Sequence, residues 1–354
     1  MLRRVHLLTA LAAAGVLAHS AATLDHATFA ASLEAPEERP QRAANWDFEA
    51  DLHARLQVLI DEHPDWITPF VIGESVQGRP LWAYRVRHPH LEPSRKLLVI
   101  SQLHALEWIG PEVAVAFLET LLGRAPAGVD QALGAPWPEV EIVVVPIVNP
   151  DGRHRVEQDL VAGRTRTYRR GNGNLVDLNR DWAVHREATA VWQHVVPKYY
   201  VTSPGPLSQP ESRAVDDLAH DERFDAFVSL HAFGRYVFVP WSGRWARPED
   251  WDTLHDLAHT MRAAQEHPYT VRQLSRYVFF FRAQGSEIDH LYGEHGALSF
   301  LIELTPSGIR PLKPTTWRDV FRWYSPEDPT EDVADGVNAL LALTLALPAA
   351  VPHP

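Results

Sequence analysis

Gln102-Leu103-His104-Ala105-Leu106-Glu107-Trp108 stands between two apolar patterns of different period. Lys96 to Ser101 is a short apolar run of the kind that forms a buried strand, and Pro111 to Leu122 has apolar residues at helical spacing. The stretch therefore reads as a strand-to-helix junction, with His104 and Glu107 three residues apart on it. There an imidazole nitrogen and a carboxylate can point at one spot. Zinc takes N and O donors at about 2.0–2.2 Å, and a catalytic zinc keeps three protein ligands and one position for water. The pair supplies two ligands at most, and a third has to come from later in the chain. Taken alone, His-x-x-Glu also fits a solvated helix start.

Outward from the junction the alternation of elements continues. Trp46 to His63 carries Phe48, Leu52, Leu56, Leu59 and Ile60 at helical spacing. Ile67 to Arg87 alternates in short stretches broken by Gln77-Gly78-Arg79-Pro80, a hairpin turn. Val140 to Val148 is a second buried strand, ending in the turn chemistry of Asn149-Pro150-Asp151-Gly152. From there to Asp181 the composition is Arg, Gly, Asn and Thr, which predicts a long irregular loop. Ser208-Gln209-Pro210-Glu211 has capping-box spacing ahead of a helix through Leu218. Phe224 to His231 and Leu298 to Glu303 are further strands, and Asp332 to Leu347 reads as a buried helix. Strands alternating with helices predict a layered α/β fold.

The chain of 354 residues is 45% hydrophobic and 22% charged, enough to bury a core. Its formal net charge of −12 argues against a nucleic-acid partner, and the basic run Arg164, Arg166, Arg169, Arg170 is local. Residues 1–22 read as a signal peptide: Arg3 and Arg4, an apolar stretch from Leu7 to Leu17, then small residues with cleavage after Ser20 or Ala22. The stretch is too short to span a bilayer, so a secreted or periplasmic protein without stable membrane insertion is expected. Export permits disulfides, yet the chain has no cysteine, which leaves stability to the core and any bound metal. Residues 23–45 are Ala/Glu/Pro-rich and read as a tether, followed by one catalytic domain over 46–350. Nothing in the sequence fixes the oligomeric state.

Two side chains at strand ends carry chemical interest. His231 closes Phe224-Asp225-Ala226-Phe227-Val228-Ser229-Leu230, and sites in open α/β sheets gather outside the carboxyl ends of strands. Glu303 closes Ser299-Phe300-Leu301-Ile302. A carboxylate there is costly unless paired or functional, and beside a metal-activated water it is a natural general base. Read singly, His231 fits a structural hydrogen bond and Glu303 a buried ion pair.

Jointly the motifs resemble the zinc metallocarboxypeptidases of the A/B type, in the family's order, from about Ile67 to Glu303. His104-Ala105-Leu106-Glu107-Trp108 is similar to the first zinc motif, and Asn149-Pro150-Asp151-Gly152 to the loop after the second strand. Tyr168-Arg169-Arg170 resembles the arginine motif, and Asp177-Leu178-Asn179-Arg180-Asp181-Trp182 the Asp-x-Asn-Arg motif. Ser229-Leu230-His231 is similar to the third-ligand strand, and Phe300-Leu301-Ile302-Glu303-Leu304 to the strand of the catalytic glutamate.

The resemblance implies a three-layer α/β/α fold with a mixed, mostly parallel sheet, one Zn2+ ion, and a peptide or protein substrate with a free C-terminus. His104, Glu107 and His231 would hold the zinc. Asp177 would accept from the far nitrogen of His104, and Glu303 would deprotonate the zinc-bound water. Arg169 would stabilise the oxyanion. Asn179 and Arg180 would bind the terminal carboxylate, a role suited to the planar fork of arginine. Ile288 would set a preference for hydrophobic C-terminal residues, with Glu287 adjacent to it.

Three positions depart from the digestive enzymes. Leu106 stands where they usually carry Arg, Asp181 where they commonly carry Asn, and Phe281 where a mobile tyrosine covers the substrate. Phe281 can cover the site but has no hydroxyl, and Tyr277 is the candidate to supply one. Between the cleavage site and Trp46 there is too little chain for a folded inhibitory prodomain, so an enzyme active on export is expected. Related zinc amidohydrolases acting on cell-wall peptides or N-acyl amino acids share much of this pattern. A catalytically inactive binding protein is the remaining alternative.

Overall fold

The apolar runs of the sequence become the middle of one eight-stranded sheet in the computed structural model, which describes residues 24–130, 139–164, 166–186, 203–277, 282–310 and 312–348. The strands are β1 (Ile67–Glu74), β2 (Pro80–Val86), β3 (Arg95–Ser101), β4 (Val140–Val145), β5 (Ala226–His231), β6 (Tyr236–Val239), β7 (Thr270–Gln273) and β8 (Leu298–Glu303). Their order is β1-β2-β4-β3-β5-β8-β6-β7. The central strands β4, β3, β5 and β8 are parallel. β1 and β2 add an antiparallel hairpin on one side, and β6 runs antiparallel to β8 on the other. The expected mixed, mostly parallel sheet is present.

Parallel strands covered on both faces read as continuous apolar runs, and successive side chains go to opposite faces. Leu97 and Val99 of β3 accordingly join one apolar cluster, while Leu98 and Ile100 join the other. The first cluster is covered by α2 (Glu49–Glu62), α3 (Ile109–Leu121), α4 (Pro150–Val161), α6 (Trp251–Ala263) and α8 (Thr330–Ala346). The second is covered by α5 (Pro210–Glu222) and α7 (Glu287–Gly293). These are the three layers. Asp216 of α5 accepts from His290 at 2.8 Å and from His295 at 2.7 Å, which ties the α7 segment to α5.

Two expectations change. Asn149-Pro150-Asp151-Gly152 does not lead into a loop but starts α4: the Asn149 side chain accepts from Gly152 N at 2.8 Å, with Pro150 in the first turn. Asn-Pro is chemistry for a helix start as much as for a turn. The irregular stretch begins only after α4, whose few buried apolar residues, Val156 and Leu160, gave a weak periodicity. The tether is also partly folded. Residues His26–Ser32 form α1, and buried His26 lies 2.7 Å from the Tyr84 hydroxyl and 3.2 Å from His53 Nδ1. Among the described residues no helix is long and apolar enough to cross a membrane. The expected signal peptide, residues 1–22, lies outside the described residues.

Candidate metal centre

β3, β5 and β8 are adjacent and parallel, so their carboxyl ends lie side by side, the place where open α/β sheets gather ligands. His231 ends β5 and pairs in register with Glu303, which ends β8. β3 ends at Ser101, and Gln102, with φ of 55°, turns the chain through the left-handed region. Ala105 N then donates to Arg170 O at 3.2 Å and Glu107 N to His104 O at 3.1 Å, closing a tight turn before α3. α3 enters flush with the sheet: a Cβ on Gly110 would stand 3.0 Å from Ser101 Cβ and 3.2 Å from Leu230 O.

This brings together three side chains that are far apart in sequence. His104 Nδ1 lies 2.8 Å from Glu107 Oε1 and 3.1 Å from His231 Nδ1, which is itself 3.0 Å from Glu107 Oε2. A carboxylate stands behind each ring: Asp177 Oδ1 is 3.0 Å from His104 Nε2, and Glu287 Oε1 is 2.9 Å from His231 Nε2. The residues fit a divalent cation. One donor atom from each of His104, Glu107 and His231 lies within 4.8 Å of the others, and the two-nitrogen, one-oxygen set is one zinc takes. Carboxylates on the far nitrogens fix tautomer and ring orientation in such sites.

Burial works against every charge here. At Glu107 the two imidazoles outweigh it and hold the carboxyl down at about 2. Asp177 is also buried, yet Arg170 and then His104 keep it well below the usual carboxylate range. His231, which burial alone would lower, is raised to about 10 by Glu107 and Glu287. Glu303 moves the other way: burial, reinforced by the Glu107 charge, pushes it up to about 8. Its Oε2 is buried and, among the described residues, has no hydrogen-bond partner.

The arginine beside the centre is Arg170, not the expected Arg169. Arg170 donates to Asp177 Oδ2 at 2.7 Å and has Nη1 3.9 Å from Glu107 Oε1. Arg169 turns to Asp159, donating to Oδ2 at 2.8 Å. The two consecutive arginines thus turn to different carboxylates, Arg170 to Asp177 and Arg169 to Asp159. Asn179 and Arg180 lie in a short turn held by Asp177, whose Oδ1 accepts from Asn179 N at 3.0 Å. Both are nearly buried, and the Arg180 charge helps to keep Asp177 ionised.

Asp181 is structural here, because it accepts from Ser208 N, Ser208 Oγ and Gln209 N and so holds the start of α5. Leu106 is buried in the first apolar cluster. Ile288 is wholly buried in the second, and its neighbour Glu287 is the α7 residue that faces the centre. Phe281 lies outside the described residues. Tyr277 is 40% exposed, packs on Tyr236 and Phe238, and feels the Glu303 charge. Sequence reading missed Glu287 and Arg170 as groups of the centre. The signal for Glu287 was its placement beside Ile288.

A family model described as zinc carboxypeptidase matches residues 52–321, three quarters of the chain. Carboxypeptidase A2 of Mus musculus is 24% identical over 301 residues, covering 78% of this chain and 70% of that protein. Carboxypeptidase A6 of Homo sapiens is 28% identical over 255 residues, covering 70% and 57%. The chain thus spans 57% to 70% of the length of these relatives. The crystal structure of a carboxypeptidase A from Helicoverpa armigera superposes with a TM-score of 0.68 at 21% identity, over 90% of this chain and 79% of that one.

Proposed function

The chain belongs to the zinc carboxypeptidase family, and from that premise we propose that it removes C-terminal residues from peptides by metal-assisted hydrolysis. The observation that carries the reading is the meeting of His104, Glu107 and His231 beside a buried, unpartnered Glu303 oxygen. Zinc held by these three donors would supply Lewis acidity toward the scissile carbonyl and the attacking water.

The chain's own residues do the rest. Asp177 and Glu287 hold the two imidazoles by their far nitrogens. Glu303 takes the proton of the attacking water and returns it to the departing amine, so the peptide C–N bond breaks and a C–O bond forms. Burial suits it to that work, because a base poised near the working pH transfers protons both ways. Arg170, in place of the expected Arg169, faces the developing oxyanion. Asn179 and Arg180 receive the substrate's terminal carboxylate, and the Tyr277 hydroxyl is the group near Glu303 that can cover it. Ile288, from which a preference for hydrophobic C-terminal residues is expected, is packed in the second apolar cluster while Glu287 faces the centre, and a panel of C-terminal Phe, Leu, Lys and Glu peptides decides the preference. The signal-like residues 1–22 support export as the setting.

The test is a set of peptides with free and with amidated C-termini, offered to wild type and Glu303→Gln. Release of the last residue from free termini only, lost in Glu303→Gln with zinc retained, is expected. Equal cleavage of amidated peptides would move the protein to the amidohydrolases, and full activity in Glu303→Gln would remove the base from its role.

A further inference from the structure

We infer that a cationic cavity beside the centre receives acidic residues of the peptide upstream of the bond to be cut. The inference rests on the carboxypeptidase reading for its reaction, but not for its binding. A cavity of about 690 Å³ opens between the segment 306–327 and Arg166. Arg166, Arg310, Lys313 and Arg318 line it, and among the described residues none of the four has an acidic partner. Its acidic lining is Asp319 and Glu327. Several arginines elsewhere are held by carboxylates: Arg55 by Asp47, Glu112 and Glu119, Arg85 by Glu141 and Glu222, Arg164 and Arg169 by Asp159.

A solvated surface accounts for a single exposed arginine. It does not account for four cations without an ion pair among the described residues, outnumbering the two carboxylates on one concave surface of a chain whose formal net charge is −12. Such a cavity concentrates positive potential and draws anions. Two large apolar side chains on the same segment are also exposed, Leu312 at 96% and Trp317 at 52%. Tryptophan and arginine are the residues enriched where proteins bind one another.

Position selects the occupant. Two chain segments run from the centre to the cavity, one from Arg170 back to Arg166, the other from Glu303 on to Ser307. Each step is four residues, and four residues reach at most about 14 Å. An extended peptide rises about 3.3 Å per residue, so its side chains roughly three to five residues before the scissile bond reach the cavity. The ligand is therefore a run of Asp or Glu in the substrate itself.

The experiment uses peptides that share their last two residues and carry Glu, Gln or Lys at those upstream positions. In wild type at low salt, kcat/KM is expected to favour Glu over Lys by about tenfold, as several exposed pairs acting together allow. The preference should sit in KM and fade at about 0.5 M salt, where charges are screened beyond a few ångströms. The double exchange Arg310→Glu with Arg318→Glu should lose it while cleaving the Gln peptide as wild type does. Equal kcat/KM for the three peptides in wild type overturns the inference, and this arm stands even if the double variant fails to fold. If no peptide is cleaved, fluorescence anisotropy of a labelled Glu peptide separates the two readings. Binding that is salt-sensitive and lost in the double variant keeps the cavity's role without the hydrolase, whereas no binding ends it. A short DNA oligomer that displaced the Glu peptide at lower concentration than unlabelled Glu peptide would also overturn it.

Discussion

Exchanging Arg170 for alanine takes away a part-buried cation that donates to Asp177 Oδ2 at 2.7 Å and stands 3.9 Å from Glu107 Oε1. Two losses are expected. A donor aimed at a developing oxyanion contributes about 10²–10³ in kcat. Asp177 also loses the charge that does most to keep it ionised, which loosens its hold on His104; disturbing such a backing group changes metal affinity about 10–100-fold. The same exchange at Arg169 removes a guanidinium that is 33% exposed and paired with Asp159, which still has Arg164. A pair of that kind contributes roughly 0–1 kcal/mol to stability and nothing to turnover. With zinc saturating, Arg170→Ala should lose about a hundredfold or more of kcat, and Arg169→Ala should stay close to wild type. The assay is steady-state cleavage of a peptide with a free C-terminus, with metal content measured on the same samples. Arg170→Lys keeps the charge without the planar fork and should recover zinc but only part of the turnover. An Arg169→Ala enzyme as impaired as Arg170→Ala, or complete restoration of Arg170→Ala by saturating zinc, would refute the assignment.

Glu287→Gln removes the charge behind His231 and should weaken zinc binding about tenfold, measured by competition with a chromophoric chelator; unchanged affinity would show that His231 needs no such support. Tyr277→Phe should raise KM for simple peptides about tenfold if its hydroxyl meets the substrate carboxylate, and an unmoved KM returns that role to another group. His53, buried beside His26 and Tyr84, is lowered to about 3 by burial, then by the charges of His26 and Arg153. The unfolded chain protonates this histidine below its ordinary value of 6.5 while the folded chain does not until about 3. Stability is therefore lost as pH falls through that window, by up to about 1.4 kcal/mol per pH unit. His53→Gln should flatten the acid limb of a denaturation-versus-pH curve, and superimposable limbs would exclude His53 as its cause.

Much of this was legible because parallel strands buried on both faces leave an unmistakable apolar run. Lys96–Ser101, Phe224–His231 and Leu298–Glu303 could be read in isolation, and the chemistry sat at their ends. β6 and the edge strand β7 are four residues each, too short for a period to show. α4 was lost because Asn-Pro serves a turn and a helix start equally, and only the fold decides between them. Arg169 and Arg170 are chemically identical, so composition could not choose; the carboxylates they turn to did. Glu287 is the same kind of case: adjacency to Ile288 was visible, but whether residue 287 or 288 faces the centre depends on how α7 is rotated against β5 and β8.

Around this centre four carboxylates, Glu107, Asp177, Glu287 and Glu303, meet two guanidinium groups, Arg170 and Arg180. Without a metal, His231, raised to about 10, and the proton that Glu303 keeps below about 8 offset the excess of carboxylates; a divalent cation would take the place of those protons, which makes the metal a part of the fold and not only of the chemistry. A ligand bound to the native state alone stabilises it by about 4 kcal/mol when present at a thousand times its dissociation constant. For a large domain that is on the order of 8 °C in Tm, so a strong chelator should lower the melting temperature by several degrees. In His104→Ala, which has lost a ligand, the chelator should have little effect. Glu303→Gln supplies the internal control, because it replaces a buried oxygen without a partner by a neutral amide. In chelated protein above about pH 8, where Glu303 is ionised, it should melt higher than wild type, since an uncompensated buried charge is removed. A chelator that leaves the wild-type Tm unchanged, or a Glu303→Gln protein that is less stable than wild type without metal above about pH 8, would mean that the carboxylates balance one another through contacts other than a shared cation.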